Sequence, residues 1–316
     1  MRRKVDLMEM ASFIAAVLIQ STPILLAGLA AMITLRANIL NVAVEGMMLV
    51  GAFVAIAVGD LTGNALIAVV SAVFAAFLVS QALAFFTLKL HADFIVAGLG
   101  INLLAAGGTL FLLERVYYNP GGLRPITFPE IWHVPDGSLS FIPILGPAFE
   151  GQSAIVLIAL LAIPACHVFL YRTPTGSYLR AAGEDEHAAR SAGIRVNRMK
   201  TLAVAISGVL SGLAGAQLAM DRLHFFLPEM TAGRGFIGLA ATLFGNGLPS
   251  ATAVASFLFG LFGAIGDRLQ AFNIPAQFVL MLPYVAAVVG LGIGMWRIKM
   301  RNRPAKIEGE DKRPGA

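Results

Sequence analysis

The sequence predicts an all-α, polytopic transmembrane helical bundle of about nine membrane segments, and three observations carry that prediction. The 316 residues are 58% hydrophobic and only 13% charged, with a mean hydropathy of +0.79. Soluble domains run to about 25% charged and 45–50% apolar residues. The apolar residues fall into long runs near the roughly 20 needed to cross about 30 Å of hydrocarbon. The basic residues, which give a net charge of +5, collect in one loop and in the C-terminal tail rather than along a face. This is the orientation pattern of membrane proteins and not a nucleic-acid footprint.

The segments run, in order, over 11–33, 39–58, 64–88, 94–113, 153–171, 201–219, 234–247, 251–271 and 276–296. The seventh, "RGFIGLAATLFGNG", is short and glycine-rich. It reads as a partial or broken helix, which membrane depth tolerates only against protein or a cavity. Small residues at Gly208 and Gly212, and at Gly260, Gly263 and Gly266, are spaced for close helix contact. "MRRKVDLMEM" is basic, but the apolar run after it continues as a span and shows no small-residue cleavage site, so no cleavable signal is expected. Cys166, the one cysteine, lies in an apolar run and reads as a packing residue.

Three hydrophilic regions remain. Residues 114–152 are rich in proline, glycine and aromatics, as suits an interfacial loop outside the cytoplasm. Residues 172–200 carry Arg172, Arg180, Arg190, Arg195, Arg198 and Lys200, and residues 297–316 form a basic tail. The basic loop and tail are both expected in the cytoplasm. Four segments separate them, so the two placements agree. Counting back puts the N-terminus outside, against the local hint of Arg2, Arg3 and Lys4. On this reading residues 1–296 form the transmembrane domain and 297–316 a cytoplasmic tail.

Polar residues inside the apolar runs are the candidates for function. "RANILNVAVEGMMLVGAF" (36–53) sets Asn41 and Glu45 four residues apart, which on a helix is one face. An ionised carboxylate in hydrocarbon costs about 2.5–3.5 kcal/mol or more, so it needs a cavity or a partner. Two roles fit: lining a path for a polar solute, or bracing, with Glu45 paired to Arg36 or capping a broken helix. The topology count places both residues near the cytoplasmic end of their span, which favours bracing. Asn102 lies mid-span and suits the path or an interhelical hydrogen bond, as do Gln81 and Gln217. Phe225 and Phe226, with His224, fit either base stacking or an aromatic belt. The five histidines are scattered without ligand spacing, so no metal site is expected.

The basic loop contains "GEDEHAARSAG". Glu184, Asp185 and Glu186 at its start and Arg190 near its end match the helix dipole, and Gly193 is placed to stop the helix. By composition this is equally a docking helix with a small, shallow alanine surface (Ala188, Ala189, Ala192) or a solvated loop that only fixes topology.

Over residues 183–216 the chain reads "GEDEHAARSAGIRVNRMKTLAVAISGVLSGLAGA". This resembles the coupling-loop block of ABC importer permeases of the branched-chain amino acid, simple sugar and nucleoside group. Arg36, Asn41, Glu45, Gly46 and Gly51 are similar to the group's opening pattern, with Asn38 where many members carry glycine. "GRGFIGLAATLFGNGLP" (233–249) resembles a third block. The wording around "VEGMM" is most similar to the nucleoside subfamily.

The resemblance implies a multi-pass subunit of a bacterial cytoplasmic (inner) membrane, without enzymatic activity or a cofactor of its own. A cytoplasmic ATPase would grip Gly183, Glu184, Ala188, Ala189, Gly193 and Ile194. A second permease subunit, a different chain or alternatively a second copy of this one, would complete the pore, and an extracytoplasmic binding protein would deliver the solute. The chain has no G-x-x-x-x-G-K-[ST] phosphate loop. A nucleoside is the expected cargo, with a simple sugar or branched-chain amino acid as alternatives. An ion-coupled secondary transporter, the reading from another class, would need mid-membrane ionisable groups beyond Glu45.

Overall fold

A computed structural model describes residues 2–125, 130–135, 137–138, 145–270 and 285. Among them the fold is helical: α1 (Arg2–Arg36), α2 (Val44–Thr62), α3 (Ala65–Ala84), α4 (Phe94–Val116), α5 (Leu145–Phe149), α6 (Ala154–Arg172), α7 (Pro174–Glu184), α8 (Glu186–Ser191), α9 (Val196–Ala216), α10 (Arg234–Phe244) and α11 (Pro249–Gln270). Wide π turns extend α3 over Phe85–Lys89 and α9 over Gln217–Leu223. Two isolated antiparallel bridges, Leu123 with Phe226 and His133 with Ser153, tie the loops at one end.

Among the described residues seven helices are long and apolar enough to cross a membrane: Glu9–Arg36 of α1, α2, α3 with its π turn, α4, α6, α9 with its π turn, and α11. The expected count of about nine is thus coarser in the structure. The seventh expected segment is the 11-residue α10, about 16 Å long at 1.5 Å per residue and too short to span. The ninth, 276–296, and the basic tail lie outside the described residues.

Helix α1 is the axis of the bundle. Its Leu25–Ile33 stretch is fully buried, enclosed by α2, α9, α10 and α11. Pro23 interrupts its backbone ladder, and the Ser21 and Thr22 hydroxyls turn back to the Val17 and Leu18 carbonyls at 2.7 Å. Backbones meet where the small residues fall. Gly208 lies on Ser80 and Gly212 on Ala72 and Val73, which sets α9 antiparallel to α3, while Gly260 lies on Ser21. These glycines act in packing.

Two helices end alike. After α1, Asn38 (φ 58°) takes the left-handed position, with Asn38 N–H to Leu35 C=O at 3.0 Å and Ile39 N–H to Thr34 C=O at 2.9 Å. After α10, Asn246 (φ 50°) does the same, with bonds to Leu243 at 3.1 Å and from Gly247 to Thr242 at 3.0 Å. Both are Schellman turns, built on Thr-Leu-x-x-Asn-x-Leu at 34–40 and at 242–248. A positive φ suits glycine or asparagine, which accounts for the asparagine at both turns.

Candidate functional site

Between α1 and α2 the chain unwinds. Residues 37–43 are non-helical and mostly buried, apart from Asn38, Leu40 and Val42, so their polar groups need internal partners. Asn41 supplies two: its Oδ1 accepts from Ala43 N–H at 3.0 Å, and its Nδ2 donates to Ser207 Oγ of α9 at 2.9 Å. Asn41 therefore stands before α2 and does not share a helical face with Glu45, because α2 starts only at Val44. Asn102 of α4 closes the same turn, accepting from Gly46 N–H at 2.8 Å and donating to Val42 C=O at 3.0 Å.

Glu45 is the second residue of the α2 span, so it stands at an end of that helix. Asn102 is the ninth residue of α4 and Ser207 the twelfth of α9, so the motif lies about 12–17 Å along those helices. Those two partners are inward from the ends of their helices. The unwound strand carries the chain from the end of α1 to these partners before α2 begins.

Glu45 and Arg36 do not pair with each other; they hold opposite ends of α10. The Glu45 carboxylate accepts from Gly233 N–H at 2.8 Å and Gly235 N–H at 2.6 Å. These are orphan donors at the positive end of the helix. A Cβ on Gly235 would stand 2.6–2.8 Å from Glu45 atoms, so this close approach requires glycine. At the other end Arg36 Nε donates to Gly247 C=O at 2.7 Å and Nη2 to Asn246 C=O at 3.1 Å. Acid at the N-terminus and base beyond the C-terminus both match the helix dipole.

Gly183, the penultimate residue of α7, packs on the backbone of the same arginine: an added Cβ would collide with the Arg36 carbonyl. The loop, Arg36, α10 and Glu45 form one contiguous series of contacts. The expected single helix in "GEDEHAARSAG" is α8 alone. Asp185 separates it from α7 and caps it, accepting from His187 N–H at 2.8 Å and Ala188 N–H at 3.0 Å. Those two bonds hold the Asp185 carboxyl below the ordinary carboxylate range. Gly193 (φ 79°) ends α8 in a third Schellman turn, Gly193 to Arg190 and Ile194 to Ala189, both 3.0 Å.

Within this loop Glu184, Ala188, Gly193 and Ala192 are exposed. Ala189 instead faces inward at 4% exposure, packed with Ala182, Val196 and Ile194. Glu186 pairs with Arg190 at 3.5 Å and with Lys200, which fastens α8 to α9.

Two carboxylates escaped the sequence reading. Asp221, in the π turn after α9, has a side chain 6% exposed and gathers His133 Nε2 (3.2 Å), Ser153 Oγ (2.9 Å) and Gln217 Nε2 (3.1 Å). Glu229 is exposed at φ 55°, on the non-helical strand from Phe226 to Gly233. Phe226 stacks edge-on against Phe53 at 5.3 Å, eight residues along α2 from Glu45, and Gly233 meets Glu45 itself. Glu229 lies in the turn between these two anchor points. Proline, threonine and glycine around it read as loop.

Phe226 is fully buried and Phe225 lies under Arg124 at 5.7 Å, so these rings pack against this chain. Among the described residues no group of three His, Cys, Asp or Glu could hold a metal.

The family described as "Branched-chain amino acid transport system / permease component" matches residues 13–294. The chain belongs to this permease family. It is 35% identical over 292 residues to the nucleoside ABC transporter permease NupC of Lactococcus lactis, covering 89% of this chain and 91% of the relative. It is 32% identical to the guanosine ABC transporter permease NupQ of Bacillus subtilis, covering 90% and 93%. The putative glucose ABC transporter permease TsgC13 of Haloferax volcanii is 35% identical, covering 80% and 76%. No solved structure matches. The chain is a multi-pass inner-membrane permease of an ABC importer.

Proposed function

We propose that this permease is one half of a heterodimeric nucleoside importer, with residues 172–200 in the cytoplasm as the loop that an ATPase subunit grips. The observation that carries the coupling role is the contact series from Gly183 through Arg36 and α10 to Glu45. It joins the loop to the packed bundle through direct contacts. ATP hydrolysis belongs to the separate ATPase, and solute delivery to an extracytoplasmic binding protein.

On this reading the ATPase binds two arrangements of the loop with different affinity, which is the condition for driving a conformational change. Movement of α7 shifts the end of α1, and the Arg36 fork carries α10 with it. At its far end α10 holds the turn segment 227–233, where Glu229 is exposed. On this reading the segment faces the solute path. Asn41, Glu45 and Asn102 brace the path rather than touch cargo, because their polar atoms are engaged within the chain.

The nucleoside assignment is supported by the two relatives with the fullest coverage, and TsgC13 favours a sugar as the second reading. The test is guanosine uptake by the complete importer in proteoliposomes. Uptake that requires ATP and survives collapse of ion gradients is the expected result. Glucose uptake without guanosine uptake moves the assignment to sugars, and uptake driven by an ion gradient without ATP overturns the importer reading.

A further inference from the structure

Antiparallel packing of α3 and α9 brings the π-turn end of α3 beside the first turns of α9. There the two helices enclose an open groove of about 640 Å³. Its floor is apolar, with Phe77, Leu88 and Leu202, and its rim carries Lys89, Arg198 and Thr201. The Lys89 ammonium stands 5.7 Å from the centre of the Phe85 ring, which holds the cation over the groove's wall. Neither Lys89 nor Arg198 meets a carboxylate among the described residues. The other cation of these turns, Lys200, is already paired with Glu186. Two cations with no carboxylate partner among the described residues, over an apolar slot, call for a ligand with an anionic head and an apolar body.

The floor also continues into an open surface. Phe74, Leu78 and Phe85, spaced at helical intervals on α3, are 58%, 51% and 47% exposed, and they form a stripe leading away from the cations along the span. Both helices are membrane spans, so the cations sit at the end of the hydrocarbon layer and the stripe within it. This is the layout of a phospholipid, phosphate at the interface and chains alongside the helix. The π turn fits too, since such turns alter a helix's surface where a site is built.

We propose that the α3–α9 groove binds an anionic phospholipid, with Lys89 and Arg198 on its phosphate headgroup and the acyl chains along the Phe74–Leu78–Phe85 stripe. The site depends on α3 and α9 being membrane spans and not on the identity of the cargo. It lies beside the α7–α8 loop, so a bound lipid would buttress the base of the helix that leaves that loop.

Native mass spectrometry of the purified full-length chain tests it, with phosphatidylglycerol and phosphatidylcholine of matched chains as probes. Phosphatidylglycerol should remain bound at collision energies that strip phosphatidylcholine. Lys89→Ala with Arg198→Ala should lower its retention about tenfold, and Arg115→Ala, whose cation lies over Phe111 on α4, should not. Equal retention of the two lipids, or undiminished retention in the double variant, overturns the proposal. Should the double variant fold poorly, Arg198→Gln alone supplies the comparison. Co-purification with the ATPase distinguishes the competing occupant. Loss of the ATPase from the Arg198 variant while phosphatidylglycerol stays bound would assign the groove to that subunit and overturn the lipid site.

Discussion

Two short helices carry this permease's proposed work, and they are held in opposite ways. Helix α8 is capped by its own neighbours: Asp185 at its start and Gly193 at its end. Helix α10 has no side-chain cap of its own. Its ends are held by Glu45 and Arg36, 188 to 211 residues earlier in the chain. The difference follows the surroundings. Water satisfies whatever a surface cap leaves, so local chemistry suffices for α8. At bundle depth an unsatisfied N–H or C=O has no water to turn to, and a charged side chain from another helix fixes position as well as satisfying the end.

Glu45→Ala should separate the two helices most sharply. It strands two N–H groups at about 1–3 kcal/mol each, so the unfolding midpoint in detergent should fall markedly and guanosine uptake at least tenfold. Unchanged stability would mean that α10 does not depend on this carboxylate. Arg36→Lys keeps the charge but loses the planar fork, and should cost about 1 kcal/mol for the hydrogen bond that a single ammonium cannot replace. ATPase activity uncoupled from uptake is its signature, because ATPase docking is left intact.

Smaller changes are expected at α8. Gly193→Ala places a Cβ at φ 79°, costing about 1 kcal/mol. It should weaken ATPase co-purification with little effect on the bundle's unfolding midpoint. The pH response of the Asp185 cap should be smallest. Its folded pKa is lowered, so its stabilisation is full at neutral pH and is lost as pH falls below about 3.9, the ordinary carboxylate value. Amide exchange of His187 and Ala188, corrected for its intrinsic pH dependence, should therefore show constant protection from pH 7 to 5. A decline within that window would contradict the sign of the shift.

Legibility in the sequence followed the same division. The long spans and the α8 stop at Gly193 were readable because each rests on residues within a few positions. Glu45 stood out as a charge needing a partner, yet the partner was a backbone nearly 190 residues away, and no local pattern names it. The Asn41–Glu45 spacing misled because it assumed a helix where the chain is unwound. Ala189 was grouped with exposed Ala188, although the turn of α8 points it inward. Asp221 and Glu229 were passed over because loop-like composition says nothing of depth.

The distant caps also bear on how the chain is made. Glu45 leaves the ribosome 188 residues ahead of Gly233, a wait of roughly 10–40 s at 5–20 residues per second. Throughout that interval the α1–α2 hairpin carries a carboxylate whose partners do not yet exist. Its entry into the bilayer must rest on its apolar residues alone, and the finished bundle can close only when the second Thr-Leu-x-x-Asn-x-Leu turn arrives. Assembly of this permease is thereby timed by its C-terminal third.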